Sequence, residues 1–366
     1  MTDQTDPIKA AIREQGKWCA NLGSPITAQL CETLADILAP LTATERRLLA
    51  WDEDLVKSAF VLRIAGAFHA LSRRGTAPAL SALYRGESGD WADTIRDTLS
   101  RNDDWLLPWL DSPPQTNEVG RAAVLWAGLM VVAARCPHPI ELLELGSSAG
   151  LNLNLHKFGY NLGGVLSGDP HSAVQLNPAW DGPPPPAAHP IIAARRGVDL
   201  APVDLTDPAS AERLIAFIWA GMDTRLARTA AAISIAQAHP PRIDQADIVG
   251  WLRARLAEPQ AEGTTRVIMH SITLQYLTVE GREAVAKMMT EAGARATPST
   301  PLAWVSMEIG DVKHTPTLNV TAWGTEAAHF DAVHQPLLRV STWPNGEPVR
   351  LAEVHPHGAT VKWVGA

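Results

Sequence analysis

The stretch from residue 139 to 155 combines an acidic side chain with a run of small residues, a combination suited to binding a ligand. Glu144 lies near the end of an apolar run, residues 140–145, of the length expected for a buried parallel strand. The small residues Gly-Ser-Ser-Ala-Gly follow at 146–150. Small residues let the backbone turn tightly and approach a ligand, and a helix that starts there directs free N–H groups at it. The pattern therefore predicts a nucleotide-type cofactor site at the carboxyl end of a strand in an open α/β sheet.

The spacing of the glycines and the position of the acid separate the cofactor classes. A dinucleotide fingerprint requires Gly-x-Gly-x-x-Gly, whereas Ser148 and Leu151 occupy the second and third glycine positions, and no lysine follows Gly150 as in a P-loop. Glu144 would repel a pyrophosphate but attract an ammonium group. S-adenosylmethionine carries an ammonium group and a sulfonium, so we expect it to bind at Glu144, Gly146, Ser147, Ser148, Gly150 and Asn152. The alternative is a strand, turn and helix without any ligand.

A run of polar residues, 115–121, precedes an apolar helix expected over residues 122–134. Thr116 or Asn117 could cap that helix, but a cap leaves Gln115, Glu118 and Arg121 unexplained. Because the helix precedes the central strand, its start could lie at the ligand-binding edge of the sheet. Asn117 and Glu118 are therefore further candidate cofactor-binding residues.

Two acidic residues follow the next predicted strand, at residues 191–194. An acid at the end of such a strand is where cofactor folds bind a ribose or an adenine amino group. Asp199 and Asp204 are the candidates, although either could also be an ordinary turn residue.

Four residues near the ends of later strands could take part in methyl transfer, which requires an aligned nucleophile and, for oxygen or nitrogen acceptors, often a base. His270 lies at the carboxyl end of the strand predicted at 264–274, and Glu308 lies at the equivalent end of the next strand. His355 and His357 flank a proline that would aim both to one side. As metal ligands the last two lack an evident third partner, so we predict no metal site.

The same small turn is also compatible with a second enzyme class, the serine hydrolases. Gly146-Ser147-Ser148-Ala149-Gly150 matches the nucleophile elbow Gly-x-Ser-x-Gly, with Ser148 as the nucleophile and with Glu308 and then His355 or His357 later in the chain. Against it, Glu144 would lie near the developing oxyanion and destabilise it. A third possibility, a non-catalytic binding protein with a cofactor fold, is compatible with every motif.

The elements that must position these residues fall into two parts. Residues 1–112 show helical periodicity and no strand pattern, which predicts a helical N-terminal domain. In residues 113–366 strands alternate with helices and then follow one another, which predicts a mainly parallel sheet ending in an antiparallel hairpin. A Gly- and Pro-rich insertion at about 163–190 predicts a surface excursion. Other expected segments are helices at 209–220, 225–238, 243–256 and 279–292, and strands at 302–309, 317–323 and 337–343.

Composition narrows the function classes. The chain has 366 residues, 46% of them hydrophobic and 19% charged, which is typical of a globular protein. The net charge of −8 argues against a nucleic-acid or anionic-membrane surface and favours a small molecule or a protein side chain as substrate. Three widely spaced cysteines suggest a reducing compartment. With no signal-peptide pattern and no apolar stretch long enough to span a bilayer, we expect a soluble, cytoplasmic protein.

The motifs taken together resemble those of a known sequence family. QTNEVGR, then ELGSSAGLNL, R-x-G-x-D-L-x-P-V-D, VIMHS and a terminal HPHG are similar to an uncharacterised bacterial family, a domain of unknown function, over nearly the whole chain from about residue 8. More distantly, residues 115–366 resemble class I S-adenosylmethionine-dependent methyltransferases, whose first motif is acid-x-Gly-x-Gly-x-Gly. Ser148 stands in place of the middle glycine. This second resemblance implies a Rossmann-like fold and S-adenosylmethionine as the cofactor.

Overall fold

The computed structural model describes residues 7–56, 58–309, 316–323 and 349–365. The predicted strand at 337–343 lies outside them. The described helices are α1 Pro7–Asn21, α2 Pro25–Ile37, α3 Ala43–Leu49, α4 Phe60–Arg74, α5 Pro78–Tyr84, α6 Trp91–Arg101, α7 Asp103–Leu106, α8 Arg121–Arg135, α9 Pro208–Ala216, α10 Asp223–Ala238, α11 Ile248–Ala257 and α12 Val279–Gly293. The described strands are β1 Ile140–Leu145, β2 Gly159–Leu162, β3 Val165–Gly168, β4 Gln175–Leu176, β5 Ala179–Asp181, β6 Ile192–Asp199, β7 Arg242–Gln245, β8 Thr265–Ser271, β9 Leu302–Ile309, β10 Pro316–Trp323, β11 Val349–Val354 and β12 Thr360–Trp363.

The chain divides into two compact units, of which the first comprises residues 1–116 and 206–230. Its regular elements, within the described residues, are all helices. Their apolar faces enclose a core that includes Ile12, Leu34, Phe60, Phe68 and Leu99.

The second unit, residues 117–205 and 231–366, is a mixed α/β structure built on a sheet of nine strands. The strand order is β5-β12-β11-β10-β9-β8-β1-β6-β7. The five strands β7-β6-β1-β8-β9 are parallel, whereas β10, β11 and β12 continue the sheet antiparallel to one another. Chain order reverses between β1 and β8: the chain passes from β1 to β6 and β7 on one side of β1, and then to β8 and β9 on the other side.

Both faces of the central strands are covered, as a parallel sheet requires. On one face, Leu143 and Leu145 of β1 pack with Ile268 of β8 against Trp251 of α11 and Met289 of α12. On the other face, α8 packs against β8, β9 and β10, and it also contacts β2 of a small sheet with the order β3-β2-β4. This double burial explains why β1 reads as a nearly continuous apolar run.

Two of the predicted segments are wrong in their secondary structure. The helix expected over residues 243–256 starts too early, because residues 242–245 form β7 beside β6. The helix α11 begins only at Ile248, where the N-cap Asp247 accepts a hydrogen bond from the N–H of Gly250 at 2.7 Å. The helix expected directly after Gly150 is a short 3-10 helix over Asn152–Lys157, so it supplies no long helix N-terminus to a ligand.

The strand predicted at 191–194 is longer than expected and ends at Asp199. The Gly- and Pro-rich region at 163–190 contributes three short strands, β3, β4 and β5, the last of which lies parallel to β12 at the edge of the main sheet. The four consecutive prolines at 183–186 lie outside any helix or strand.

Candidate functional site

The turn that follows β1 is fixed to the end of β6 by its own backbone. The N–H groups of Gly146 and Ser147 both donate to the carbonyl oxygen of Val198, at 2.9 and 3.0 Å. The N–H of Ser148 donates to Oδ2 of Asp199 at 2.8 Å. The carboxyl end of β1 is thereby held against the carboxyl end of β6, where a ligand of a parallel sheet binds.

Close contacts explain the glycines around this turn. Gly146 has φ +67°, and a Cβ on it would lie 2.5 Å from Cγ2 of Thr273. Gly197 of β6 lies opposite Glu144, and a Cβ there would lie 2.3 Å from Oγ of Ser147. Both positions therefore require glycine for packing alone. Neither Thr273 nor Gly197 was among the predicted site residues, although Gly197 belongs to the R-x-G-x-D motif at residues 195–199.

Ser148 stands where the cofactor-binding pattern has a glycine, but its backbone adopts a conformation that is typical of glycine. Its φ is +53°, in the left-handed region that is costly for a residue with a Cβ. The strain is offset by the hydrogen bond from its N–H to Asp199 and by a second one, at 3.2 Å, from the N–H of Val203 to its carbonyl oxygen. Asp199 also accepts the N–H of Ala201 at 3.0 Å, so this side chain shapes the turn. Asp204 lies five residues further along the chain and is exposed.

Glu144 is almost fully buried, with 2% of its surface exposed, and no described residue donates a hydrogen bond to its Oε2. Burial, and next the negative charge of Asp199, raise the pKa of Glu144 well above its usual value. Burial disfavours the charged form of this carboxyl, and a cation beside it would favour that form.

Further buried polar atoms without a hydrogen-bond partner in the described part of the chain follow Glu144 closely. They are Oγ of Ser148, Oδ1 of Asn152 and both side-chain amide atoms of Asn154. Unpaired buried polar atoms are costly and rare, so a group of them around one turn is typical of a site completed by a ligand or by water. Asn154 was not among the predicted site residues, and its alternation with leucines pointed only to packing.

The polar run before α8 holds the same turn from the other side. Oδ1 of Asn117 accepts the N–H of Leu151 at 2.8 Å, and Nδ2 of Asn152 donates to the carbonyl oxygen of Glu118 at 3.4 Å. Oε1 of Glu118 accepts the N–H of Gly120 at 2.9 Å. The alternative of a helix cap at Thr116 or Asn117 is wrong, because α8 begins at Arg121 and its N-cap residue is Gly120.

Arg121 and Gly358 bring the terminal HPHG motif to this edge. Nε of Arg121 donates to the carbonyl oxygen of Pro356 at 2.9 Å, and its Nη1 donates to that of Ser271 at 3.2 Å. A Cβ on Gly358 would lie 2.2 Å from the carbonyl oxygen of Gly120. The rings of His355 and His357 lie edge to face, with their centroids 5.3 Å apart. Motifs more than 230 residues apart thus meet beside the ends of the parallel strands.

His270 and Glu308 form a hydrogen-bonded pair on neighbouring strands. His270 of β8 lies in register with Ser306 of β9. Trp304 and Glu308 stand two residues before and two residues after Ser306, so their side chains lie on the same face of the sheet, on either side of His270. Nδ1 of His270 is 2.6 Å from Oε1 of Glu308, and the indole N–H of Trp304 donates to its Nε2 at 2.7 Å. Trp304 was missed, although its spacing of four from Glu308 could have indicated a shared face.

The segment after His270 carries a second strained residue. Ile272 has φ +51°, which is unusual for a β-branched side chain, and its N–H donates to the carbonyl oxygen of Met307 at 2.7 Å. This bend directs the N–H groups of Thr273 and Leu274 to Oε1 of Glu308, at 2.9 and 3.2 Å. Strained non-glycine residues cluster at functional sites, and Ser148 and Ile272 flank the same edge.

The predicted site residues therefore fall into connected groups. Asn117, Glu118, Gly146, Ser147, Ser148, Asn152 and Asp199 take part in the contacts around the turn, and His270 and Glu308 are joined to it through Thr273. Within the described ranges, no three His, Cys, Asp or Glu side chains are grouped so as to hold a metal ion. No helix in that part of the chain is long and apolar enough to cross a membrane.

Comparison with known proteins identifies a family for the chain. A search of curated proteins finds no match. The model of one family, described as "Uncharacterized protein conserved in bacteria (DUF2332)", matches residues 9–363. The match spans nearly the whole chain and all of the motifs discussed above. The chain therefore belongs to this uncharacterised bacterial family.

Proposed function

We propose that this protein is an S-adenosylmethionine-dependent methyltransferase with a Rossmann-like sheet, acting on a small molecule or a protein side chain. The observation that carries the proposal is Glu144, a buried carboxyl with an unpartnered oxygen beside the turn that follows β1. It is the partner that the ammonium group of this cofactor requires.

The strand order supports a cofactor site at this place. Numbered by their order in the chain, the five parallel strands run 3-2-1-4-5, which is the order of a doubly wound sheet up to its fifth strand. In such sheets a ligand binds outside the carboxyl ends of the strands, where chain order reverses. Here that place lies between β1 and β8, and Glu144 is the penultimate residue of β1.

The residues around the turn fit the cofactor in charge. Gly146 and Gly150 adopt positive φ angles, and the polar atoms of Ser148 and Asn152 are left without partners. S-adenosylmethionine, when bound, would supply the methyl group on a sulfonium. Glu144 would hold its ammonium group, and Asn117 and Asp199 would keep the turn in shape. Glu308, oriented by His270, and also His355 and His357 remain the candidates for contact with the acceptor.

A panel of ligands tests this proposal by thermal shift. We expect S-adenosylmethionine and its demethylated product, S-adenosylhomocysteine, to raise the unfolding temperature, because a ligand that binds only the folded chain stabilises it. NAD⁺ and NADP⁺ at the same concentrations should not. Stabilisation by a dinucleotide, without any by the two sulfur compounds, would refute the proposal.

A serine hydrolase is the second candidate, favoured by the positive φ of Ser148 in its Gly-x-Ser-x-Gly turn. Its weakness is that Oγ of Ser148 has no hydrogen-bond partner in the described residues, whereas a serine nucleophile is activated by an adjacent base. Labelling by a fluorophosphonate that disappears in Ser148→Ala would establish the hydrolase. For a methyltransferase we expect no labelling, and we expect Ser148→Gly to be tolerated because glycine adopts this φ without strain.

A further inference from the structure

Glu308 has one carboxylate oxygen that is fully engaged, while the other receives no hydrogen bond from the part of the chain that the structure describes. Oε1 accepts three hydrogen bonds, from Nδ1 of His270 at 2.6 Å and from the N–H groups of Thr273 and Leu274 at 2.9 and 3.2 Å. No described residue donates to Oε2, and 19% of the side chain is exposed. The carboxylate is thus held through Oε1, and among the described residues Oε2 has no donor.

His270 has no capacity left to react with a ligand itself. Its side chain is completely buried, and its Nε2 accepts the indole N–H of Trp304 at 2.7 Å. Because an indole N–H can only donate, Nε2 carries no proton, and the ring proton lies on Nδ1 and is donated to Glu308. Both nitrogens are therefore occupied, and the ring orients Glu308.

Glu308 lies close to the turn that carries the proposed cofactor site. Thr273, whose N–H binds Oε1 of Glu308, also packs its methyl group against Gly146, and its hydroxyl is 3.3 Å from the carbonyl oxygen of Leu145. A single residue therefore separates the carboxylate from the first glycine of the turn.

The environment of Glu308 favours its ionised form. Burial raises the pKa of this carboxyl, whereas the hydrogen bonds from His270, Thr273 and Leu274 lower it by stabilising the charged form. A carboxylate with a lowered pKa is a weak base. It is well suited to binding a positive charge or stabilising one that develops.

We propose that Glu308 binds the methyl acceptor, that this acceptor presents a basic nitrogen, and that His270 and Trp304 are positioning residues for Glu308. The inference rests on the proposed methyltransferase function, since it names the substrate class of that same site.

An acceptor that binds as an ammonium ion would first lose one proton to water, because only the neutral nitrogen has a lone pair. That lone pair would form the new N–C bond, while the C–S bond breaks and its electron pair stays on sulfur. The nitrogen would become positively charged and would then lose a second proton to water. The negative charge of Glu308 stabilises the positive charge that develops on the nitrogen. A hydroxyl acceptor would instead need a strong base at this place, which Glu308 is not.

The first test compares matched amines and alcohols as probes, using ligand-observed NMR on the full chain with and without S-adenosylhomocysteine. The pairs are benzylamine with benzyl alcohol and hexylamine with hexanol. We expect the wild type to bind the amines at least about tenfold more tightly than the alcohols, as for a charge-assisted hydrogen bond. Glu308→Gln should lose this preference while its affinity for S-adenosylhomocysteine changes less than about threefold. A wild type without any preference for the amines overturns the proposal.

The second test addresses the positioning residues. His270→Leu removes a donor to the ionised carboxylate, so the pKa of Glu308, followed by its ¹³C carboxyl signal, should rise, whereas His270→Gln keeps a donor and should restore part of the shift. The ¹⁵N signals of His270 in the wild type at pH 7 should show the proton on Nδ1. An unchanged Glu308 titration in His270→Leu would contradict the positioning role.

The two proposals fail separately. If S-adenosylhomocysteine binds but the amine preference is absent, only the substrate inference falls. If it does not bind, the proposed function falls, while the amine preference measured without it still reports on Glu308.

Discussion

At the scale of single residues, the site is defined by two carboxyl groups in opposite electrostatic states. Glu144 is buried without a donor on Oε2, so burial and Asp199 raise its pKa. Glu308 is also largely buried, yet three donors on Oε1 lower its pKa. The surroundings of Glu144 disfavour its charged form, whereas the three donors stabilise the charged form of Glu308. A pair of acids separated in this way is typical of a site in which each has its own role.

The raised pKa of Glu144 has a consequence for stability. An acid whose folded pKa lies above its unfolded value of 4.5 contributes stability that is fully present below pH 4.5 and is lost as the pH rises through the folded pKa. In Glu144→Gln nothing is left to ionise at this position. We therefore expect the variant to gain on the wild type as the pH rises from 5 to 8, by at most about 1.4 kcal/mol per pH unit.

Unfolding in urea at pH 5, 6, 7 and 8, without ligand, measures this gain. Glu262→Gln, at an exposed position outside the helices and strands, serves as the control for the loss of a surface glutamate. A difference between Glu144→Gln and the wild type that stays constant over the range would show that Glu144 is ionised throughout.

At the scale of elements, the start of α8 connects segments that are distant in the chain. Arg121 donates to the carbonyl oxygens of Pro356 and Ser271, and Gly120 lies in close contact with Gly358. The same segment holds the turn after β1 through Asn117. The polar run before α8 is therefore a structural clamp on the carboxyl edge of the sheet.

Removing Arg121 should loosen this clamp. In Arg121→Ala two backbone carbonyls lose a charged donor, so we expect a loss of about 1–3 kcal/mol in the free energy of unfolding. We also expect faster amide hydrogen exchange within residues 355–358, at His355, His357 and Gly358. Arg121→Lys should restore little of it, because lysine lacks the rigid fork of donors. Arg253→Ala, at an exposed position on α11, should change stability by less than about 0.5 kcal/mol. Unchanged exchange at residues 355–358 in Arg121→Ala would contradict the role of the clamp.

At the scale of the whole molecule, hydrophobic pattern and small-residue motifs predicted the mainly parallel sheet and the place of the turn. The strand β7 was missed because it is four residues long and only partly buried, so its assignment depends on pairing with β6. A regular helix was expected after Gly150, but the chain forms only a short 3-10 helix there. Asn152 and Asn154 are weak helix formers, which disfavours a longer helix.

The chemistry of the site depended on contacts that the sequence does not encode locally. His270 was expected to act on a substrate, but the register of β8 against β9 places it between Trp304 and Glu308. Which side chains meet across two parallel strands depends on register, and register depends on the whole sheet. The residue types were therefore predictable, whereas their pairing was not.

The central claim is that Glu144 receives the ammonium group of an S-adenosylmethionine-type cofactor, and calorimetry tests it most directly. S-adenosylhomocysteine, which keeps the ammonium group and is chemically stable, is titrated into the wild type, Glu144→Gln and Glu141→Gln. Glu141 lies on the same strand but pairs with Arg266 at 2.7 Å. We predict binding to the wild type and to Glu141→Gln, and about 10- to 100-fold weaker binding to Glu144→Gln, the loss expected for one charged hydrogen bond. Equal affinity of Glu144→Gln and the wild type would contradict the account.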